Sequence, residues 1–475
     1  MIPIYTPDTE QYISSALKAI HSGWISSQGN FISKTSEKLQ EILNSKYVVL
    51  TNNGTSATHM LYRALKYKYP NLKKIYVPNN VFVAVWNCAL LEYPADMLHV
   101  LEMNPETLNM REDEEYISSL DKDSAVVVVH NVGNVVNVPR LKRLRPDIVF
   151  VEDNCEAFLE TYENQKTGTA SLCAAISFFA NKLVTAGEGG AFYTDDKDLF
   201  DYVYKSCHHG MSYKRYIYDV LGFNYRMTNI QAALLYDQLC DIDNIIRNKE
   251  TIMKRYKDLL GDNMVSNGRW MCVVRFESID NYEDFCKHLL MKGIDTRPMF
   301  YDISTQTHLK IKNIDPSEIK HNQLSMIPSS PSLTQSEQNY IVSVIREYIY
   351  PRIVPATPEL VEQFKQNEMP TTFRYFQKHD TKYHVKTLVA LDKNNTPVGY
   401  GHIDVENDTH WLGVCVLPSA QHMGLGTRIV QELLKNQPNV KLSVDKHNTI
   451  AQNLYKKFGF VKVAENDDVY FMFKP

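Results

Sequence analysis

The stretch YVVLTNNGTSATHMLYRALKY, residues 47–67, decides the fold class. Tyr47–Thr51 is a short β-branched apolar run. A polar turn with Gly54 follows, and then a helical segment from Ser56 to Tyr67. Similar apolar runs recur at Ile75–Pro78, Met97–Leu101, Ala125–Val129, Ile148–Glu152 and Ala174–Phe178. Strands that are apolar throughout are buried on both faces, as in a parallel sheet covered by helices. Helical segments lie between several of them, which favours the α/β class. Beyond about residue 240 the pattern changes. A long helix over Asp241–Leu260 leads to a strand over Met271–Phe276 and mixed elements, a smaller α+β subdomain.

Further on, Pro351, Pro355, Pro358 and Pro370 crowd a stretch with few strong apolar runs. Proline blocks helix interiors and central strands, which places a domain boundary near Val354. Residues 1–353 then form one domain, large part to about 240 and small part over 241–353. Residues 354–475 hold a linker and a second domain long enough for its own core. There Leu388–Leu391, Val398–Val405 and Trp411–Val416 read as strands separated by DKNNTP and ENDTH turns. A helix over Gly426–Leu434, a strand over Lys441–Val444 and a helix over Thr449–Phe458 follow. Val461–Ala464 and Val469–Phe473 close the chain as strands.

At about 150 residues per domain, 475 residues predict roughly three domain-sized units. The chain is 44% hydrophobic and 22% charged. These are values of soluble globular proteins, which excludes disorder, collagen and coiled coil as global descriptions. Lys plus Arg is 51 and Asp plus Glu is 55, a net −4. No basic stripe marks a nucleic-acid binder. No apolar run approaches the about 20 residues of a membrane helix. The N-terminal MIPIYTPDTEQ has no signal-peptide pattern. The expectation is a cytoplasmic protein with neither nucleic-acid nor membrane partners. Eight scattered cysteines without a CxxC pair read as reduced, mostly buried thiols and predict no metal site.

Lys182 lies in SFFANKLVTAGEGG (177–190), just past a buried strand and before a glycine cluster. A lone lysine there is often a surface residue. Three companions give it another meaning. Asp153 ends a strand in VEDNCEA (151–157), Gly54, Thr55 and Ser56 open a helix directly after a strand, and Phe82 begins a helix after YVPNN. A helix N-terminus offers free N–H groups and a positive dipole end, which suit a phosphate. A carboxylate can keep a pyridinium nitrogen protonated, so that the ring becomes an electron sink. An aromatic side chain can stack on that ring. A lysine amine can bond to an aldehyde and later carry a proton. The set fits pyridoxal 5′-phosphate, at the strand C-termini where α/β folds place ligands.

Together GWISSQG (23–29), NNGTSA (52–57), VPNNVFVA (77–84), VEDNCEA, SFFANK (177–182), GEGG (187–190), GFNYRMTNIQAA (222–233) and IPSSPSLTQSE (327–337) resemble one family. It is the DegT/StrS nucleotide-sugar aminotransferases, a branch of the fold-type I pyridoxal phosphate enzymes. The resemblance covers about residues 1–350. It implies that Lys182 bonds the cofactor, Asp153 pairs with the ring nitrogen and Phe82 stacks on the ring. Gly54, Thr55, Ser56 and Ser177 would bind the phosphate, and Glu156 stands near the cofactor hydroxyl where the family often has Gln or His. Asn224 matches a residue that reaches the phosphate of a neighbouring subunit, implying a homodimer with shared sites. Trp24, Ser26, Tyr225 and Arg226 fall where the family frames the sugar-nucleotide pocket. HNVGNVVNVPRLKRL (130–144) departs from the family's glycine-proline-aspartate run, and no contact is carried over from it. Family members with His in place of the lysine are dehydrases. Lys182 favours transamination.

In GVCVLPSAQHMGLGTRIVQEL (413–433), a strand precedes Gln421-x-x-Gly424-x-Gly426 and a helix follows. Glycines let the backbone approach a pyrophosphate, and the new helix supplies free N–H groups. With KHNTIAQNLYKKFGF (446–460) this resembles the GNAT acetyltransferases, over about residues 370–475. The resemblance implies that amides around Met423–Thr427 cradle the pyrophosphate of acetyl-CoA. Cys415, Val416 and Leu417 would present strand backbone to its pantetheine arm, Asn448 would touch that arm, and Tyr455 would protonate the departing thiolate. The bland alternative for Tyr455 is an aromatic packed on the core. For the general base, His402 is the first candidate, because imidazole titrates near neutrality, and His410 the second. By two-residue periodicity Val398, Tyr400, His402 and Asp404 share one strand face. A histidine satisfied by a core hydrogen bond is the competing reading. TFRYF (372–376) and GYGHIDVE (399–406) also resemble acetyltransferases found beside sugar biosynthesis enzymes.

An aminotransferase makes a primary amine and an acetyltransferase consumes one. The order suggests a bifunctional enzyme with consecutive steps on one nucleotide-linked 4-keto-6-deoxyhexose. Glutamate would be the amino donor and an acetamido sugar for a surface glycan the product. The alternatives are acetylation of a different amine, or a C-terminal acetyl-CoA sensor or oligomerisation module.

Overall fold

The computed structural model describes all residues except 277–281, 312, 313, 315, 316, 350, 374–383, 393, 407, 408, 422, 423, 436 and 438. Met423 and most of TFRYF therefore lie outside the described residues. The chain divides into two compact units, Met1–Val342 and Ser343–Pro475.

The first unit is built on a seven-stranded sheet: β1 (Tyr47–Thr51), β2 (Lys74–Pro78), β3 (Leu98–Leu101), β4 (Ser124–Val129), β5 (Val149–Asp153), β6 (Ala174–Ser177) and β7 (Gly190–Thr194). Their order is β1-β7-β6-β5-β4-β2-β3. β2, β3, β4, β5 and β6 run parallel. β7 is antiparallel to both β1 and β6, an exception to the all-parallel expectation. β7 opens on the glycine cluster, so no local apolar run marks its start. Every residue of β4 is buried, as expected for a strand covered on both faces.

Helix α1 (Gly54–Lys68) starts two residues earlier than its apolar pattern, because Asn53 caps it and accepts from the Ser56 N–H at 2.8 Å. Helix α2 (Asn229–Cys240) opens on a Thr228–Gln231 capping box. Helix α3 (Ile242–Leu260) leads into a three-stranded antiparallel sheet of β8 (Cys272–Arg275), β9 (Arg297–Pro298) and β10 (Leu324–Ile327).

The second unit has its own seven-stranded sheet. Arg352–Pro355, which spans the expected domain boundary at residues 353 and 354, is its edge strand β11. Proline is tolerated there because an edge strand leaves one side unpaired. Helix α4 (Pro358–Lys365) follows, then β12 (His384–Leu391), β13 (Pro397–Glu406), β14 (Thr409–Val416), helix α5 (Leu425–Leu433), β15 (Val440–Asp445), helix α6 (Thr449–Lys457), β16 (Val461–Glu465) and β17 (Val469–Lys474). The order is β11-β12-β13-β14-β15-β17-β16. Helices α5 and α6 pack with Ala390, Ile403 and Leu442 in one core cluster. Val361 and Phe364 of α4 pack with Val389, Tyr400 and Cys415 in another. Among the described residues, no helix is long and apolar enough to cross a membrane. All eight cysteines are free thiols. Five of them are buried, Cys155 and Cys286 are half-buried, and Cys240 is exposed.

Candidate active sites

In the first unit, the strand ends and the small sheet enclose a cavity of about 730 Å³. Gly54, Thr55, Phe82, Asp153, Glu156, Ser177 and Lys182 all line it. The turn between β1 and α1 makes one wall. A Cβ on Gly54 would stand 2.6 Å from the Ser177 Cβ, so only glycine lets the start of α1 close on β6. The first N–H groups of a helix have no partner within it. Here they stand beside the hydroxyls of Thr55 and Ser177. That donor set fits a phosphate. Ser56 is used differently. Its N–H goes to Asn53 and its hydroxyl donates to Asn52 Oδ1 at 2.7 Å, so it shapes the turn and does not face the cavity.

The buried Asp153 carboxylate, at the end of β5, accepts from the Thr58 hydroxyl at 2.9 Å and the Cys155 N–H at 3.1 Å. Both bonds hold the carboxylate in place at the end of the strand. The Lys182 amine lies 3.9 Å from the centre of the Trp270 ring, and the Lys182 carbonyl accepts from Tyr5 Oη at 3.1 Å. The Trp270 indole donates to the Asn181 carbonyl at 3.1 Å, fixing the ring under the lysine. Glu156 accepts from the Val132 N–H at 2.7 Å, and burial pushes its carboxyl up to about 7. Phe82 is 54% exposed and meets Phe300 edge-on at 6.1 Å. A phosphate cradle, a carboxylate, an aromatic face and a lysine on one cavity fit pyridoxal phosphate.

In the second unit, β14 pairs with β13 along its whole length. With β15, among the described residues, it pairs at His410 and Trp411 alone. From Leu412 to Val416 the strand therefore leaves its β15-facing edge open. Gln421 donates to the Val416 carbonyl at 3.0 Å, and Gly424 takes a left-handed conformation (φ +71) at the start of α5. Gly426 and Thr427 lie in the first turn of α5, where backbone N–H groups are free of the helix ladder. Asn448, expected on the cofactor arm, caps α6 by accepting from the Ala451 N–H at 3.0 Å. Tyr455 is buried against Phe460, and burial pushes its hydroxyl up to about 12, with a smaller contribution from Cys415. His402 is buried on the Tyr400 side of the sheet.

The sequence pattern described as the DegT/DnrJ/EryC1/StrS aminotransferase family matches residues 7–346. The chain belongs to this family. Residues 353–460 match the acetyltransferase (GNAT) family, so the aminotransferase carries a second, acetyltransferase domain. The chain is 30% identical over 370 residues to a GDP-perosamine synthase of Escherichia coli O157:H7, covering 73% of this chain and 98% of the relative. It is 27% identical to a GDP-perosamine synthase of Caulobacter vibrioides, covering 70% and 94%. Helicobacter pylori PseC, an aminotransferase of pseudoaminic acid biosynthesis, superposes with a TM-score of 0.67 at 21% identity, covering 73% of this chain and 99% of that one. That likeness shows the fold, fold-type I, alone.

Within this aminotransferase domain, four residues expected around the sugar-nucleotide pocket stand away from the chain's own cavity. Asn229 holds the segment of Trp24 and Ser26, donating from its side chain to the Trp24 carbonyl and from its backbone to the Ser26 carbonyl, each at 2.6 Å. Tyr225 turns inward, with its hydroxyl 3.1 Å from His59 Nδ1 and its carbonyl accepting from the Asn52 N–H. Arg226 bridges to Thr51 and Asn224 to His208. Thr58, Trp270, Arg297 and Phe300 line the cavity without having been read from sequence. Thr58 could have been found, since it sits one helical turn beyond Gly54 on the same face. The other three come from the small sheet region, and only the fold brings them in.

Proposed function

We propose that this chain makes an N-acetylated amino sugar by two steps on one nucleotide-linked sugar. The aminotransferase domain replaces the keto oxygen of a 4-keto-6-deoxyhexose with an amino group taken from glutamate. The acetyltransferase domain then moves an acetyl group from acetyl-CoA to that amine. GDP is the nucleotide favoured by the perosamine synthases among the relatives. One observation carries the reading: Lys182, Asp153 and the N-terminus of α1 share one cavity, in a chain whose second domain matches an acetyltransferase.

When bound, pyridoxal phosphate supplies an electron sink for a carbanion at the amino-bearing carbon. Gly54, Thr55 and Ser177 would hold its phosphate, and Asp153 would hold its ring nitrogen protonated. The Lys182 amine accepts a proton from the donor's carbon and returns one to the sugar carbon. Glu156, buried and poised near neutrality, can hold a proton within the same cavity. In the second domain, Tyr455 keeps its proton at neutral pH and can give it to the departing thiolate. Gln421, Gly424, Met423, Gly426 and Thr427 would form the pyrophosphate loop, beside Val416.

We place the reaction in the cytoplasm, where nucleotide sugars and acetyl-CoA meet, and in a homodimer with shared sites. Large apolar side chains exposed at Trp24, Phe82, Tyr213 and Leu221 favour a partner surface, as do Asn224 and Arg226 standing off the chain's own cavity. The product suits a surface glycan.

The test is mass spectrometry of one reaction holding protein, pyridoxal phosphate, glutamate, acetyl-CoA and GDP-, UDP- or dTDP-linked 4-keto-6-deoxy sugars. The acetamido mass from the GDP sugar, with no conversion by Lys182→Ala, supports the reading. Accumulated amino sugar with acetyl-CoA untouched leaves the aminotransferase and sinks the tandem reaction.

A further inference from the structure

We propose that His384 and Asp404 are positioning residues that turn His402 into the proton acceptor of acetyl transfer. This deepens, and rests on, the acetyltransferase reading above. On β13, Tyr400, His402 and Asp404 project to one side, where Phe364 of α4 stacks on Tyr400 at 5.6 Å. Gly399 and Gly401 lie against Leu425 and Ile429 of α5 on the other side. In the pairing of β12 with β13, His384 stands opposite Asp404 and Thr387 opposite His402. The register therefore delivers a second imidazole and a carboxylate to His402.

The His384 and His402 rings stack almost parallel, with centres 4.3 Å apart and planes 9° apart. One nitrogen of each ring and an Asp404 oxygen all lie within 4.8 Å of one another. His384 Nδ1 is held 3.0 Å from the Thr387 hydroxyl and 3.3 Å from the Tyr400 hydroxyl. Two imidazoles this close resist carrying two positive charges, while a neighbouring carboxylate favours one. The cluster is therefore built to take up a single proton. In-plane lone pairs of parallel rings run side by side and do not converge, which disfavours a shared metal ion. By strand alternation, the other titratable side chains that β13, β14 and β15 place on this face among the described residues are Tyr400 and Glu406 of β13, Cys415 of β14, and Lys441 and Asp445 of β15. α4 packs here through Val361 and Phe364, and Lys386 of β12 turns away to the Glu432 carbonyl.

The place of the ring gives the cluster its role. A Cβ on Gly413 would stand 2.1 Å from His402 Cε1, so the imidazole lies directly on the β14 backbone there. Gly413 belongs to the segment whose outer edge β15 leaves open. Tyr455 packs with the Leu425 cluster on the opposite side. Base and acid thus flank one strand. His402 takes a proton from the acceptor ammonium. The freed nitrogen lone pair forms the C–N bond to the thioester carbonyl carbon. The C–S bond breaks, and the sulfur takes the Tyr455 proton. The second nitrogen proton returns to Tyr455 through water. One ammonium and one acetyl-CoA give one acetamide, one thiol and one proton, which His402 releases to solvent.

The test uses the full chain and follows thiol release with an amino-sugar nucleotide, beside histidine NMR. In Asp404→Asn, kcat should fall tenfold or more, with acetyl-CoA affinity by calorimetry unchanged within twofold. The acidic limb of its kcat–pH profile and the His402 midpoint should both move at least one unit lower, and Asp404→Glu should restore them. His384→Asn should lower kcat similarly at unchanged acetyl-CoA affinity. Lost activity with an unmoved limb would show a merely structural role and overturn the proposal. If the wild type acetylates no amino sugar, the acetyltransferase reading falls and the catalytic role with it. An unmoved His402 midpoint in Asp404→Asn would separately show that the three groups are not coupled.

Discussion

The Thr58 hydroxyl donates to the Asp153 carboxylate at 2.9 Å, and both residues face the cavity that holds Lys182. One helix thus serves both ends of the site, presenting free N–H groups at Gly54 and a hydroxyl one turn later. A hydrogen bond to a charged group is worth about 1.5–3 kcal/mol. Thr58→Val removes it at nearly constant volume. Affinity for pyridoxal phosphate should fall roughly tenfold to a hundredfold, read by absorbance titration of the cofactor-free protein. Unchanged affinity would mean that the Cys155 N–H alone fixes the carboxylate.

Gly54→Ala tests the other end. The added methyl meets Ser177 backbone and side chain at 2.6–3.2 Å, so the start of α1 and β6 have to separate. Overpacking of this kind costs about 1–3 kcal/mol. The melting temperature should drop, and phosphate-dependent cofactor binding should weaken more than binding of pyridoxal lacking the phosphate. Equal losses for both ligands would place the phosphate elsewhere.

Glu156 gives a pH test. Burial raises its carboxyl from 4.5 to about 7. A raised folded-state value favours the protonated form, so the stability it allows is full below about 4.5 and is lost as pH rises through about 7. Glu156→Gln keeps an oxygen for the Val132 N–H and carries no charge. Relative to wild type, the cofactor-free variant should gain about 2–3 kcal/mol between pH 5 and pH 8.5. Paired denaturant melts measure it. A constant difference across that window would mean that Glu156 stays ionised in the folded chain.

The strands were legible because each is short, apolar and bounded by polar turns. Lys182, Asp153 and Gly54 were legible because their chemistry sits at strand and helix ends. Other features depend on pairing that no local pattern encodes. β7 turns antiparallel because Gly190–Thr194 must fit between β1 and β6, a fact about neighbours. Ser56 and Asn448 carry the residue types of ligand donors, but each is consumed at a helix start by the need to satisfy backbone or turn groups. Tyr225 has the look of a pocket aromatic, yet His59 of α1, far away in sequence, claims its hydroxyl. His384 carried no signal, since its partner Asp404 is set by strand register.

Lys249 of α3 gave no sign of its setting either. It is fully buried, with its amine donating to the Ser329 carbonyl and lying 5.1 Å from the Tyr5 ring centre. Burial lowers it from 10.5 to about 7. A depressed folded-state value means stability that is full above about 10.5, is lost as pH falls and is wholly lost below about 7. Lys249→Met removes the buried charge and leaves the Ser329 carbonyl unpaired, at a cost of about 1–3 kcal/mol. At pH 6 the variant should still be more stable, by roughly 2 kcal/mol. At pH 10 wild type should equal or exceed it, so their difference should change by about 4 kcal/mol across the range. Tyr5 also bonds to the Lys182 carbonyl, so melts should be run with and without pyridoxal phosphate. A pH-independent difference would mean that the amine stays charged in the fold, held by the Ser329 carbonyl and the Tyr5 ring.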